Sequence, residues 1–323
     1  MRVIFVGTSS FAVPSLEALI ASAHDVVAVV TQPDKPKGRG REMQMPPVKV
    51  IALAHSIPIL QPEKIRRPEA VAEIKEFGPV GAMVVAAYGQ IIPGDLLSWP
   101  HYGCVNVHGS ILPKYRGAAP IQHAIIAGEK QTGVTTMLMD EGLDTGEILL
   151  QEAVDIGPNE NYGELSERLA WLGARLLIRT LNGLEDGEIA PIPQDDELAS
   201  QARSLTRDAG AIDWSQSADG VVNLIRGCTP RPGAFTKLCG TQIKIWSAVV
   251  LAREGAKGVP GEIVAIDKDG IEVAAGSGSV RLIEVQPESR KRMSAADYAR
   301  GGLKAGQAFD SAVQASVSAQ ICP

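Results

Sequence analysis

Aromatic side chains are scarce, at 4% of 323 residues, so the core rests on the aliphatic share of a 45% apolar composition. Only four cysteines occur (Cys104, Cys228, Cys239 and Cys322), far apart and without a C-x-x-C pair. That spacing spells neither a disulfide framework nor a zinc ribbon, and a reducing cytoplasm is the expected setting. The five histidines show no ligand spacing, so no metal site is expected. No run approaches the 18 or so apolar residues of a membrane span. The longest, Val80 to Tyr88, suits a buried strand, and Val3 to Val6 is too short for an export signal. No membrane association is therefore expected. The first strand-to-helix turn reads GTSSF (Gly7 to Phe11) and lacks the G-x-G-x-x-G cradle of dinucleotide folds, which argues against NAD.

What is present fits a two-domain globular protein. Charged residues make up 21% and the net charge is −6, which on its face argues against a nucleic-acid partner. The charge is unevenly spread, however. Residues 1–206 carry 17 Lys and Arg against 25 Asp and Glu, whereas residues 207–323 carry 14 against 12. The acidity is local, and a polyanion can dock on a basic subset of the surface.

The first half alternates short β-rich runs (Arg2 to Gly7, Asp25 to Thr31, Pro58 to Leu60, Gly81 to Ala87, Cys104 to Val107, Gly133 to Met139) with helical patterns. That alternation predicts an α/β domain with a doubly wound, mostly parallel sheet. The helical patterns cover Val13 to Ala21, Pro47 to His55, Pro68 to Phe77 and Pro120 to Ala127. Leu165, Leu169, Leu172 and Leu176 then recur at helical spacing behind Asn161 and Glu164, placed as a capping box. After residue 184 the chain turns polar and irregular, which reads as a surface linker. Beyond it, short β-branched segments between Gly-rich turns suit a small antiparallel barrel. The expected division is 1–188 catalytic, 189–211 linker and 212–323 barrel.

The segment from Cys104 to Ile125 and the later GLDTGEIL carry the chemistry. Asn106 and His108 are two apart in a strand, so both project from one face at its carboxyl end, where open α/β sheets bind ligands. Asp144 sits in a Gly-rich loop after the next strand, free to reach them. An amide, an imidazole and a carboxylate form a set for proton transfer and oxyanion stabilisation. Taken singly, each also suits a plain role, as an edge histidine, a strand terminator and a turn former. Lys35, Lys37, Arg39 and Arg41 put four cations into seven residues, either a solvated loop or a contact for an anionic partner.

The run N-x-H-x-S-x-L-P-x-Y-R-G-A-x-P (Asn106 to Pro120) with the downstream Asp144-Thr145-Gly146 resembles the folate-dependent formyltransferase family. GTSSFAVPSLEAL, TQPDKPKGRGR, AYGQIIP, TGVTTMLMDEGLDTGEIL and IDW occur in that family's order, so the similarity spans essentially the whole chain. The resemblance implies a Rossmann-like catalytic domain and a C-terminal OB-like barrel that holds tRNA. It further implies transfer of the formyl group of 10-formyltetrahydrofolate to the α-amine of methionine on initiator tRNA by Asn106, His108 and Asp144. Folate is expected on Tyr88, Gly89, Gln90, Ile91, Ile92, Ser110, Leu112, Pro113 and Asp140. The tRNA is expected on Lys35, Lys37, Arg39, Arg41, Arg207, Lys237 and Lys244, with Arg39 as the key arginine at the acceptor end. A monomer is expected. Ser204 and Arg207 stand where the family typically carries lysines, and Arg231 where a tryptophan is usual; these departures bear on tRNA contacts, not on the chemistry. Family members that formylate an amino sugar nucleotide or glycinamide ribonucleotide share the N-x-H pattern but need no basic loop with a barrel attached. A catalytically silent tRNA-binding protein would not need the three polar residues.

Overall fold

The computed structural model describes residues 1–37, 42–255 and 257–310. By contacts the chain forms two compact units. One comprises Met1–Pro120, Gln131–Val154 and Ser166–Arg203, the other Ile121–Lys130, Asp155–Leu165 and Ser204 onward.

The first unit is built on a seven-stranded sheet. Its strands are β1 (Arg2–Gly7), β2 (Asp25–Val30), β5 (Ile59–Leu60), β6 (Ala82–Ala86), β7 (Cys104–His108), β8 (Gln131–Leu138) and β9 (Ile148–Asp155), in the order β5-β2-β1-β6-β7-β8-β9. Pairing is parallel from β5 to β7 and turns antiparallel between β7 and β8. The mostly parallel α/β sheet expected from the alternation is what forms. Strands β6 and β7 are buried at every position, as parallel strands covered on both faces must be. Strand β9, at the end of the sheet order, buries only Leu149 and beyond it alternates half-buried and exposed positions, the signature of a strand with one wet face. The basic stretch is in part a short hairpin, β3 (Lys35–Lys37) with β4 (Glu42–Gln44); Arg39 and Arg41 lie outside the described residues.

Helices α1 (Val13–Ile20), α2 (Pro47–Ala54), α3 (Pro68–Lys75), α5 (Pro120–Ile126) and α6 (Tyr162–Glu185) follow the expected stretches closely, and a short α4 (Gly94–Leu97) that no helical pattern announced lies between α3 and α5 in the chain. The capping box forms: Glu164 N–H donates to Asn161 Oδ1 at 3.2 Å and Asn161 N–H to the Glu164 carboxylate at 3.0 Å.

The stretch expected to run as a linker from 189 to 211 is divided by its contacts, with residues up to Arg203 belonging to the first unit. Ile192 exchanges two backbone hydrogen bonds with Ile148 (2.8 and 2.9 Å), and Ala202, fully buried, donates to the Arg116 carbonyl at 2.7 Å. These backbone groups are satisfied by the sheet and loops they lie on, so the stretch up to Arg203 is part of the first unit's surface layer.

The second unit holds β10 (Ala234–Leu238), β11 (Thr241–Ala252), β12 (Ile263–Asp267), β13 (Gly270–Ala274) and β14 (Ser279–Pro287), all antiparallel in the order β10-β11-β14-β13-β12, with β15 (Met293–Ser294) beside β14. Residues 308–310 join the two edges: Asp310 N–H donates to the Lys237 carbonyl at 2.8 Å and Phe309 N–H to the Gly261 carbonyl at 2.9 Å. Residues 308–310 thus pair with the chain at both ends of the strand order, covering part of each edge. Inside, Trp214 is fully buried, stacks on Phe309 at 5.6 Å and donates its indole N–H to Thr236 at 3.0 Å. Helix α7 (Ala218–Cys228), capped by Ser217, and α8 (Ala295–Ala299), capped by Ser294, also pack in this unit.

Candidate active site

Asn106 and His108 end β7 on one face, 8% and 5% exposed. The Asp144 carboxylate reaches both. Asn106 Nδ2 donates to Asp144 Oδ1 at 3.3 Å, and His108 Nδ1 lies 3.6 Å from Asp144 Oδ2. The three groups named from sequence spacing are therefore gathered within reach of one small molecule.

The tautomer of His108 follows from its other nitrogen. Nε2 lies 3.0 Å from the Tyr115 carbonyl, an oxygen that can only accept, so Nε2 carries a proton. Only Nδ1 is left to serve a ligand, and donation from it requires the doubly protonated ring. Asn106 has a second amide proton beyond the one given to Asp144.

Loop geometry brings the carboxylate here. Asp144 adopts a left-handed backbone at φ 54°, a conformation that aspartate tolerates better than most residues. Its Oδ2 accepts from Gly117 N–H at 2.8 Å. Gly117 sits at φ 125°, and a side chain there would bring a Cβ within 2.6 Å of the Ala202 carbonyl. Only glycine lets this N–H approach the carboxylate. Asp140 ties the same loop, accepting from Gly142 N–H at 3.0 Å and Thr145 hydroxyl at 2.7 Å.

The expected folate residues divide into two groups. Asp140 lines an open cleft with Pro93, Gly94, Asp95, Leu97, Ser98, Met139 and Glu141. Ile91 is 83% exposed. Tyr88 and Ile92 are instead buried, and burial pushes the Tyr88 phenol up to about 12. The Tyr88 carbonyl accepts from Thr8 and Gln32, which fixes the turn that Gly89 continues at φ 84°. Gln90 holds its loop by accepting from Ile65 N–H at 3.0 Å and donating to the Glu63 carbonyl at 3.2 Å. Ser110 and Leu112 offer no surface for a ligand. Ser110 is fully buried and gives its hydroxyl to the Lys114 carbonyl at 2.7 Å, and Leu112 belongs to the core. Both shape the loop, and the Pro113 carbonyl takes a 3.4 Å hydrogen bond from Ser200 N–H.

In the second unit, register puts Lys237 and Lys244 on one face of the β10–β11 pair, opposite Gln242 and Phe235. Ile243 and Ile245 take the buried face. Arg207 reaches Gln242 on the outer face at 3.4 Å. Trp246 follows along that face, donates to Gln286 at 3.1 Å and carries the Arg292 guanidinium 4.9 Å above its ring. In the first unit, Lys35 donates to the Gln32 side chain.

Sequence reasoning assigned no role to Gln194, or to Arg116 and Gly117 beyond their place in the motif. Gln194 lies in a polar stretch without periodicity, and nothing local marks it.

The sequence matches the formyl transferase family over residues 1–181 and the formyl transferase C-terminal domain over residues 204–303. The chain belongs to the formyl transferase family. Within it the chain is similar to the methionyl-tRNA formyltransferase of Geobacter metallireducens, with 50% identity over 301 residues that cover 93% of this chain and 96% of the relative. Among solved structures it shares the fold of the N-formyltransferase from Helicobacter canadensis in complex with folinic acid and dTDP-3-aminofucose (TM-score 0.64, 17% identity, 89% of this chain and 99% of that one). It also shares the fold of HypX from Aquifex aeolicus in complex with tetrahydrofolic acid (TM-score 0.63, 18% identity), covering 93% of this chain and about half, 47%, of that longer protein.

Proposed function

We propose that this chain transfers the formyl group of 10-formyltetrahydrofolate to the α-amine of methionine esterified to initiator tRNA, giving N-formylmethionyl-tRNA for translation initiation. One observation carries the chemistry: the Asp144 carboxylate lies between the Asn106 amide and the His108 imidazole at the end of β7. The 50% identity with a methionyl-tRNA formyltransferase over nearly the whole chain supports the choice of amine.

A free α-amine has a pKa of about 8, so near neutrality a useful fraction is already nucleophilic. The demanding event is charge on the formyl oxygen. As the amine nitrogen bonds to the formyl carbon, that oxygen becomes an alkoxide. The second Asn106 amide proton stabilises it, and His108 adds a donor at Nδ1 in the doubly protonated form of the ring. When the alkoxide collapses, the bond from carbon to folate N10 breaks. The amine gives up one proton and N10 gains one, with Asp144 carrying it directly or through water, so atoms and charge balance without a redox partner. The Tyr115 carbonyl fixes the imidazole ring in position for this role.

Folate is assigned to the cleft bordered by Pro93, Gly94 and Asp140, beside the Asp144 loop. The tRNA body is assigned to the outer face of β10 and β11, where Lys237, Lys244 and Arg207 gather, and its acceptor end to the basic stretch from Lys35 to Arg41. Each substrate can be held within one chain, so the enzyme is proposed to act as a monomer in the cytoplasm.

Formylation of an amino sugar nucleotide is the second reading, and solved sugar enzymes share the fold. Incubation with labelled 10-formyltetrahydrofolate and either methionyl initiator tRNA or an amino sugar nucleotide separates the two. Label is expected in the tRNA at a rate at least a hundred-fold above the sugar, as expected when binding interactions are realised only with the right substrate. Transfer to the sugar nucleotide alone would refute the proposal.

A further inference from the structure

We infer that Gln194 is a positioning residue for formyl transfer: with Arg116 it ties the left-handed Asp144 turn to the loop that fixes His108, and so sets where the Asp144 carboxylate stands. The inference rests on the reading of Asp144 as a participant in the reaction.

Gln194 spends its whole hydrogen-bonding capacity on this task. Nε2 has two protons, and it donates to the carbonyls of Asp144 at 2.9 Å and Gly146 at 2.7 Å. Oε1 accepts twice from one guanidinium, from Arg116 Nε at 3.0 Å and Nη2 at 2.8 Å. That arginine is only 5% exposed, and its Nη2 also meets Asp196 at 2.8 Å.

Arg116 is flanked by the two residues that touch the site. Tyr115, before it, accepts the His108 Nε2 proton through its carbonyl, and Gly117, after it, donates its N–H to Asp144 Oδ2. Gln194 therefore closes a ring. One side runs from His108 through Tyr115 and Gly117 to the carboxylate of Asp144. The other returns from the backbone of Asp144 through the glutamine amide to Arg116. Gly146 is buried, so the amide satisfies a carbonyl that is shut off from water. By holding the Asp144 carbonyl with its other proton, it also fixes the angle at which residue 144 projects its carboxylate. Asp144 stands at φ 54°, where the backbone is held by its surroundings and not by its own preference. Its carboxylate also lies 3.6 Å from His108 Nδ1, just beyond hydrogen-bond contact. Small rotations of the turn would lengthen or close that gap, and misplacement of about 1 Å can cost a hundred-fold in rate.

The test is steady-state kinetics of the full chain with 10-formyltetrahydrofolate and methionyl initiator tRNA. It uses Gln194→Ala, Gln194→Glu, Asp144→Asn and the double variant Gln194→Ala with Asp144→Asn, each with its thermal midpoint. Gln194→Ala is expected to lower kcat on the order of ten-fold, with KM for both substrates changed by less than about two-fold. Gln194→Glu keeps an acceptor for Arg116 but aims an oxygen at two carbonyls. It should lose at least as much kcat while folding normally, which keeps the test decisive if the alanine variant is unstable. In the Asp144→Asn background, Gln194→Ala should change kcat by less than about two-fold, because its effect is spent through Asp144. Native kcat in both Gln194 variants, or a loss that multiplies fully onto that of Asp144→Asn, would overturn the inference. Native turnover of Asp144→Asn itself would instead remove the reading on which it rests.

Discussion

The Asp144 loop of the first unit and the basic face of the second present opposite constructions. Around Asp144 the turn is tied on several sides: Asn106, Gly117, Gln194 and the neighbouring Asp140 hold one short turn at a left-handed residue. On β10 and β11 the charges stand on a regular ladder, loosely tied and partly wet, with Ile243 and Ile245 packed behind them. The difference teaches where specificity of each kind comes from. Chemistry on a carbonyl needs donors aimed before the reaction starts, whereas a phosphate backbone needs charge at roughly the right place.

That contrast is broken most directly at the three groups proposed to carry the chemistry. Asn106→Ala, His108→Ala and Asp144→Ala should each lose turnover on the order of a hundred- to a thousand-fold. Affinity for tRNA, read by filter binding, should stay near native. Near-native turnover in any of the three would remove that residue from the mechanism. A loss of tRNA affinity equal to the loss of rate would erase the distinction between the two regions.

These three residues were legible because strand periodicity and the Gly-rich turn are local signals. Asn106 and His108 are two apart, and the DTG turn announces itself. The framework holding them is not local. The Arg116 carbonyl takes its hydrogen bond from Ala202 N–H, and Tyr115 N–H donates to Ser200 Oγ at 2.9 Å. Pairings across more than eighty residues leave no period in the sequence, so a polar, irregular stretch from 189 reads only as a surface linker. The β3–β4 hairpin was hidden for a related reason: Lys35, Lys37 and Glu42 carry charge where a strand usually shows apolar alternation. Burial of Tyr88 and Ser110 inside their own loops was equally silent, since motif position says that a residue matters without saying what it touches.

A smaller effect sharpens the comparison from the backbone side. Gly117→Ala places a Cβ against the Ala202 carbonyl at φ 125°, a conformation costing on the order of 1–3 kcal/mol for a residue with a side chain. The turn can relieve that strain only by withdrawing the N–H that Asp144 accepts. The expected result is a lower thermal midpoint together with a kcat loss of about ten-fold, tRNA affinity again unchanged. Loss of stability with full activity would mean that the Gly117 contact is scaffolding alone.

The smallest effects belong to the basic face, and their dependence on salt is what identifies them. Lys244 projects from the same side as Trp246, and Arg292 stacks on that indole while pairing with Glu284. Each cation that neutralises a phosphate releases about one counterion, so Lys244→Ala should weaken tRNA binding several-fold at low salt and reduce the slope of log affinity against log salt by about one. Arg292→Lys separates charge from shape. The ammonium keeps the charge and hence the slope, but cannot lie flat on the ring as a guanidinium does. If stacking presents Arg292 to the nucleic acid, the lysine variant binds more weakly at every salt concentration with the native slope. A native affinity in Arg292→Lys would make charge alone sufficient. A native slope in Lys244→Ala would take the outer face of β11 out of the tRNA footprint.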